Sequence, residues 1–278
     1  MAGFETQAGQ ADRGVVPPRS SARLPGPLII HIRVVFALLL REARVRHGRS
    51  RIGYTWALVE PALLIIVMTV FFSTLALQST SSVEYALFFA TGILPFQYFR
   101  NASSYLAGAF DSNQSLFNYP LVKPIDAIIA RFVLDTCTVL LVMMMVLTFQ
   151  VLVLKAPPPR YPAMMLLSVV LFGLLAFGVG LNLAVTRRVM PSISNIYSVI
   201  MGPSFFLSCV FYPLSSLPTQ YRDLLGWNPL VHGVEGFRLG YYTAYRAPDL
   251  DLWYLFAWGL TLIFIGLARE RAAKKHQA

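Results

Sequence analysis

From residue 56 onward the chain reads as long apolar runs separated by short polar connections. Six runs stand out, at 56–77, 85–108, 127–154, 161–186, 192–212 and 252–268. A helix crosses a hydrocarbon core about 30 Å thick with roughly 20 apolar residues, so the pattern predicts six membrane spans. Pro95 is expected to break the second run, which also carries Arg100; the third carries Arg131 and Asp135 in its first turns. Between the fifth and sixth runs, residues 213–246 are too polar to span and too apolar and aromatic for a plain loop. They read as two short half-helices dipping into the outer leaflet, where such backbone must be buried in protein or line a wet cavity.

The pattern before the first run is different. Residues 28–40 are apolar except for His31 and Arg33, and the chain then turns arginine-rich. That stretch is too short and too charged to span. It predicts an amphipathic helix in the inner interface, within 28–55. Arg41, Arg44 and Arg46 would share its polar face with Glu42, and Glu42 and Arg46 stand at i,i+4. A simple basic flank to the first span is the plainer alternative. Residues 1–27 are polar, contain Pro and Gly, and read as a disordered cytoplasmic arm rather than a signal peptide.

Composition agrees with the spans. Of 278 residues, 56% are hydrophobic and 13% charged, with a mean hydropathy of +0.60. A soluble domain carries about 25% charged residues. A soluble enzyme and a disordered chain are thereby excluded, and an all-α polytopic membrane protein is indicated. The net charge of +10 would suggest nucleic acid in a soluble protein, but its distribution points elsewhere. Nine arginines precede residue 56; Lys123, Arg187 and Arg188 lie in alternate connections; four basic residues fall in 269–278. The opposite side holds Lys155, Arg160, Arg222, Arg238 and Arg246. The positive-inside rule then puts both termini in the cytoplasm, with no nucleic-acid partner.

Familiar catalytic signatures are missing. No Gly-Lys-Ser/Thr phosphate loop, HExxH pair or GxSxG elbow occurs. The four histidines are scattered, and Cys137 and Cys209 lie in apolar runs without metal-ligand spacing. No metal is expected, and energy-coupled chemistry would need a partner. An intramembrane transferase using sparse polar residues stays open as an alternative.

Three constellations remain. In the inner loop 111–126, Asn113, Gln114, Leu116, Phe117, Asn118 and Tyr119 suit one or two helical turns that present aromatics to a partner; an ordinary connector is the bland alternative. Arg100 and Arg131 are charges within spans, where ionisable residues usually face a wet path. Arg100 suits an anionic substrate. Arg131 could instead pair with Asp135 at i+4 or snorkel to the inner surface. Around them Trp56, Tyr98, Phe99 and Tyr105 could belong to the interfacial belt and core, or stack on sugar rings along a path. In the outer region, Trp227, Asn228, Pro229, His232, Glu235 and Arg238 fall close together. Glu235 and Arg238 form an ion pair at i,i+3 or belong to an outer gate or a periplasmic docking surface.

The segments LLREARVRHGRSRIGYTWALVEPA, NQSLFNYPLVKPIDAIIAR and FYPLSSLPTQYRDLLGWNPLVHGVEGFR resemble the membrane subunits of capsular polysaccharide ABC exporters, the KpsM type, from about residue 38 to 268. O-antigen permeases are more distant relatives. The resemblance implies an ABC-2 (type V) exporter fold with an interface helix near 38–51, six spans within 56–268, re-entrant helices in 213–246 and a cytoplasmic tail at 269–278. It implies a homodimer with a path between protomers and two copies of a KpsT-type ATPase, which would hold the ATP and Mg2+, so that this chain binds no cofactor itself. Residues Asn113–Tyr119 become the coupling helix. A KpsE-type periplasmic co-polymerase and a KpsD-type outer-membrane exporter are further implied partners. The implied cargo is an acidic polymer on a lipid anchor through a Kdo linker, moved across the bacterial inner membrane. An O-antigen or teichoic-acid permease is the nearest alternative.

Overall fold

The computed structural model describes residues 27–47, 52–75, 82–118 and 122–275. The expected arm therefore lies outside the described residues, apart from Pro27, as does Tyr119. All regular structure among the described residues is helical.

Helix α1 (Pro27–His47) lies against α5 (Pro124–Leu152). Helices α2 (Ile52–Leu75) and α3 (Ser82–Ala107) follow, then a single turn α4 (Ala109–Ser112) and a 3-10 turn (Gln114–Asn118). Beyond α5 come α6 (Pro162–Arg187), α7 (Ile193–Leu207), a 3-10 turn (Leu214–Ser216), α8 (Thr219–Gly226), α9 (Pro229–Tyr241) and α10 (Leu252–Lys275). The centre of the bundle is α6, which packs on α3, α9 and α10. Small residues allow that approach, as they do between membrane helices generally. A Cβ on Gly178 would stand 2.8 Å from Leu262 of α10, and one on Gly240 of α9 would stand 2.6 Å from the Met165 backbone nitrogen.

Among the described residues, four helices are long and apolar enough to cross a membrane: Trp56–Leu75, Pro124–Leu152, Pro162–Arg187 and Leu252–Ala273. The two other expected spans differ from these for separate reasons. Helix α3 has 26 residues, about 39 Å at 1.5 Å each, but Gln97, Arg100, Asn101, Ser103 and Ser104 lower its hydropathy. It is enclosed largely by protein, with most of its residues from Ala86 to Ala107 buried. Helix α7 has 15 residues and ends at Leu207, short of the expected 212. Cys209 just beyond adopts φ +57°, a left-handed conformation that stops a helix.

Pro95 does not break α3, nor do Pro61 and Pro203 break α2 and α7. Helices inside a membrane bundle tolerate proline because neighbours stabilise the local distortion. The last helix continues past 268 to Lys275, because Arg269 donates to Asn182 Oδ1 (3.1 Å) and Thr186 Oγ1 (2.8 Å) and holds the extra turns against α6.

Region 213–246 does contain two short helices, with different surroundings. Helix α8 has no buried residue, whereas α9 is buried along nearly its whole length between α3, α6 and α10. Asn228 caps α9, its Oδ1 accepting from Leu230 N at 3.0 Å, and Pro229 follows at N1, where its missing N–H costs nothing.

Candidate functional site: two polar ends and a mid-bundle cleft

At the arginine-rich end, α1 and the α3–α5 connection are tied together by charge. Arg131 of α5 and Glu42 of α1 meet at 2.8 Å, with side chains only 8% and 9% exposed. Tyr105 OH donates to the same Glu42 oxygen (2.8 Å), Arg131 Nη1 donates to Tyr105 O (3.0 Å), and the guanidinium stands 4.7 Å from the Tyr105 ring centroid. Arg131 and Tyr105 thus grip α1 rather than face an open path. The i,i+4 partner Asp135 is not the residue Arg131 reaches. Side chains lean toward a helix N-terminus, which carries Arg131 toward α1 and away from the turn holding Asp135. Glu42 is correspondingly buried and not on an exposed polar face.

The loop beneath is equally anchored. Arg41 Nη1 donates to Asn113 Oδ1 (2.5 Å) and Asn113 Nδ2 to Ala109 O (2.9 Å), so Asn113 is buried rather than displayed. Gln114 is exposed; Leu116 and Phe117 are half-buried, and Phe117 packs edge-on to Phe110 at 6.3 Å. Half of the expected aromatic face therefore turns inward, because Phe110, Leu181 and Val185 provide an apolar seat. Arg188 stacks on Phe110, 3.8 Å from its centroid, and burial lowers its pKa from the ordinary arginine value. Arg187 pairs with Asp111 at 2.7 Å and reaches Ser194 Oγ, binding the loop to the start of α7. Lys123 Nζ lies 3.1 Å from His31 Nε2, and His31 Nδ1 3.5 Å from Asp126. An ammonium can only donate, so the Lys123 contact forms when the His31 Nε2 carries no proton. Arg44 is exposed; Arg46 lies in α1 and Asn118 in the 3-10 turn.

Midway along the bundle is a polar cleft. Arg100 of α3 pairs with Glu60 of α2 at 2.6 Å, both side chains more than a third exposed. Trp56, 60% exposed, borders a cavity of about 230 Å³ beside the pair, and Tyr98 contributes to its wall while bonding Thr136 at 2.9 Å. Phe99 is instead a core residue, packed against Phe172. The sequence does not single out Glu60, and its spacing gives Glu42 to Arg46 rather than to Arg131. Their signal was arithmetic: each cation inside an apolar run needs a partner, and these two acids lie in the adjoining helices.

At the opposite end, Arg238 is fully buried. Its guanidinium donates to the carbonyls of Cys209 (2.6 Å), Val210 (2.5 Å) and Tyr212 (3.3 Å) and lies 3.9 Å from the Phe88 centroid. It thereby satisfies carbonyls freed where α7 ends, a capping role at long range. Glu235 sits 3.8 Å from Arg238 and accepts from Leu214 N (3.2 Å) and Tyr245 OH (2.6 Å). Burial raises the Glu235 pKa above the ordinary carboxylate value, against the opposing pull of Tyr245 and Arg238. His232 Nε2 donates to Gly226 O (2.8 Å) while Nδ1 accepts from Asp251 N (3.1 Å). Trp227 is largely exposed, with its carbonyl bonded to Tyr254 OH. The structure pairs Glu235 with Arg238, anchors His232 separately to Gly226 and Asp251, and leaves Trp227 exposed.

An α-helical bundle with apolar outer faces, ion pairs toward one end and a polar cleft between α2 and α3 is that of a multi-pass membrane protein. The chain belongs to the ABC-2 type transporter family, whose profile matches residues 33–242. It is 35% identical over 245 residues to the polysialic acid transport protein KpsM of Escherichia coli, covering 87% of this chain and 93% of KpsM. Identity is 32% over 245 residues to the capsule polysaccharide export inner-membrane protein CtrC of Neisseria meningitidis, covering 87% of this chain and 91% of CtrC. It is 28% over 248 residues to the capsule polysaccharide export inner-membrane protein BexB of Haemophilus influenzae, covering 89% of this chain and 94% of BexB.

Proposed function

We propose that the chain is the transmembrane subunit of an ATP-driven exporter that carries lipid-linked acidic capsular polysaccharide from cytoplasm to periplasm. The observation that carries this reading is the near full-length similarity to a polysialic acid transport protein, KpsM, at 35% identity, and to two capsule polysaccharide export inner-membrane proteins. The chain is a transport component and not itself the enzyme; ATP and Mg2+ belong to a separate ATPase, of the KpsT type, present in two copies.

In this reading α3 and α7 join the four apolar helices as the second and fifth of six spans, both termini are cytoplasmic, and α8 and α9 are the re-entrant pair. Two copies of the chain form the exporter. Supporting this, α7 leaves Ile196, Val199 and Ile200 exposed within one protomer, an apolar face that a second copy would cover. The ATPase presses on the 111–126 loop at Gln114 and Leu116. Arg41–Asn113 passes the push to α1, and Glu42–Arg131 passes it to α5. The cargo runs past the cleft of Trp56 and Arg100 and leaves toward KpsE- and KpsD-type partners.

Co-expression with the ATPase of the same host tests the assembly. The reading expects the two to purify together in equal numbers, as two copies of each. A chain that purifies alone under conditions where the ATPase is abundant and folded would contradict it.

A further inference from the structure

Arg100 Nη2 and Glu60 Oε1 lie 2.6 Å apart and join α3 to α2, yet the two side chains are 38% and 39% exposed. A sealed ion pair would exclude competing ions; this one is open to solutes. On one side is the cavity of about 230 Å³, bordered by Trp56, Glu60, Gln97, Asn101 and Thr138. On the other is a second cavity of about 340 Å³, bordered by Arg100, Asn101, Ser104, Tyr197 and Ser198. Asn101 belongs to both, so the pair stands where two cavities of mixed polar and apolar lining meet.

Beside aliphatic side chains and the Asp135 carboxylate, the walls carry amides, hydroxyls and an indole, groups that bond sugar hydroxyls and cover the apolar face of a sugar ring. The cation that borders these cavities is the Arg100 guanidinium, a planar fork matched to carboxylates. In the structure that fork is already engaged by a carboxylate, from Glu60. Resting on the reading that the cargo is an acidic polysaccharide, we propose that Glu60 is an internal stand-in for a cargo carboxylate. A carboxylated sugar entering the cleft replaces Glu60 on Arg100 and releases α2 from α3; a neutral sugar leaves the pair closed. Glu60 is thus a specificity-determining residue that competes with the cargo, and Arg100 is the group that both bind.

The assignment gives Glu60 and Arg100 opposite signs. Exposed ion pairs contribute up to about 1 kcal/mol, so removing the competitor should strengthen binding of an acidic sugar about fivefold. Removing the cation loses a charge-assisted hydrogen bond and should weaken it about tenfold or more. The experiment uses the full chain in nanodiscs, with tetragalacturonate as the acidic probe and maltotetraose as the neutral one, and binding read by saturation-transfer NMR. Glu60→Gln is expected to bind tetragalacturonate more tightly than the wild type, Arg100→Gln more weakly, and the double variant like Arg100→Gln, with maltotetraose unaffected throughout. Arg100→Lys keeps the charge and guards against a folding defect; it should still prefer the acidic probe. A Glu60→Gln chain that binds no better than wild type overturns the proposal, as does loss of preference in Arg100→Lys or absence of tetragalacturonate binding in every variant. Restoration of surface polymer by the wild-type chain in a depleted host judges the export reading separately, so the two can fail independently.

Discussion

Replacing Glu42 by glutamine removes the carboxylate that faces Arg131 at 2.8 Å, in a pair whose side chains are 8% and 9% exposed. Removing one member of a buried pair costs about 3–5 kcal/mol, because the remaining charge is left uncompensated out of water. Here Arg131 keeps its bond to Tyr105 O and its place over the Tyr105 ring, and glutamine can still accept from Tyr105 OH. The lower end, about 3 kcal/mol, is therefore expected. Arg131→Gln should cost a similar amount by leaving Glu42 with only part of its former company. The double variant should cost much less than the sum of the two, with a coupling of about 2–3 kcal/mol. Equilibrium unfolding of the four chains in mixed micelles closes the cycle. Single variants that each cost below about 1 kcal/mol, the range of exposed pairs, would refute the reasoning, and so would a strictly additive double variant.

Other expectations follow from the same geometry. Leu116→Glu should weaken co-purification of the ATPase without a large loss of stability, whereas Phe117→Glu should also destabilise the chain, because Phe117 packs on Phe110; equal thermal stability of the two variants would contradict this. Gly240→Ala places a methyl 2.6 Å from Met165 N and should cost about 1–3 kcal/mol by overpacking, read by the same unfolding assay. Burial raises the Glu235 pKa in the folded chain, so the folded state holds that proton more tightly than the unfolded one. The stabilisation it contributes is full below the ordinary carboxylate value and declines as pH rises through the raised one. Glu235→Gln should flatten that slope; an unchanged pH profile would show that Glu235 is not its source.

Much of the helical pattern was legible because apolar periodicity and proline punctuation are local properties. The starts of α5 and α6 at Pro124 and Pro162, and the division of 213–246 into two short helices, fall close to where the residues put them. What was not legible depends on which residues meet across the bundle. Arg131 turns to Glu42, 89 positions earlier in the chain, and no spacing rule connects them. Asn113 looks like a surface residue in a polar loop, yet Arg41 and Ala109 bury it. Arg238 reads as half of an i,i+3 pair, while its strongest contacts are backbone carbonyls at the end of α7. Pro95 looked like a break because propensity describes an isolated helix, and α3 is enclosed by its neighbours. Arg100 and Trp56 stand beside the cleft that Glu60 shares.

The central claim concerns where the polymer crosses the membrane, and depletion of the chain in its own host tests it most directly. Polysaccharide is separated into surface-released and intracellular fractions, and the intracellular material is analysed for its lipid end. The account predicts loss of surface polymer together with accumulation of lipid-capped polymer inside the cell. Normal surface polymer after depletion would contradict it.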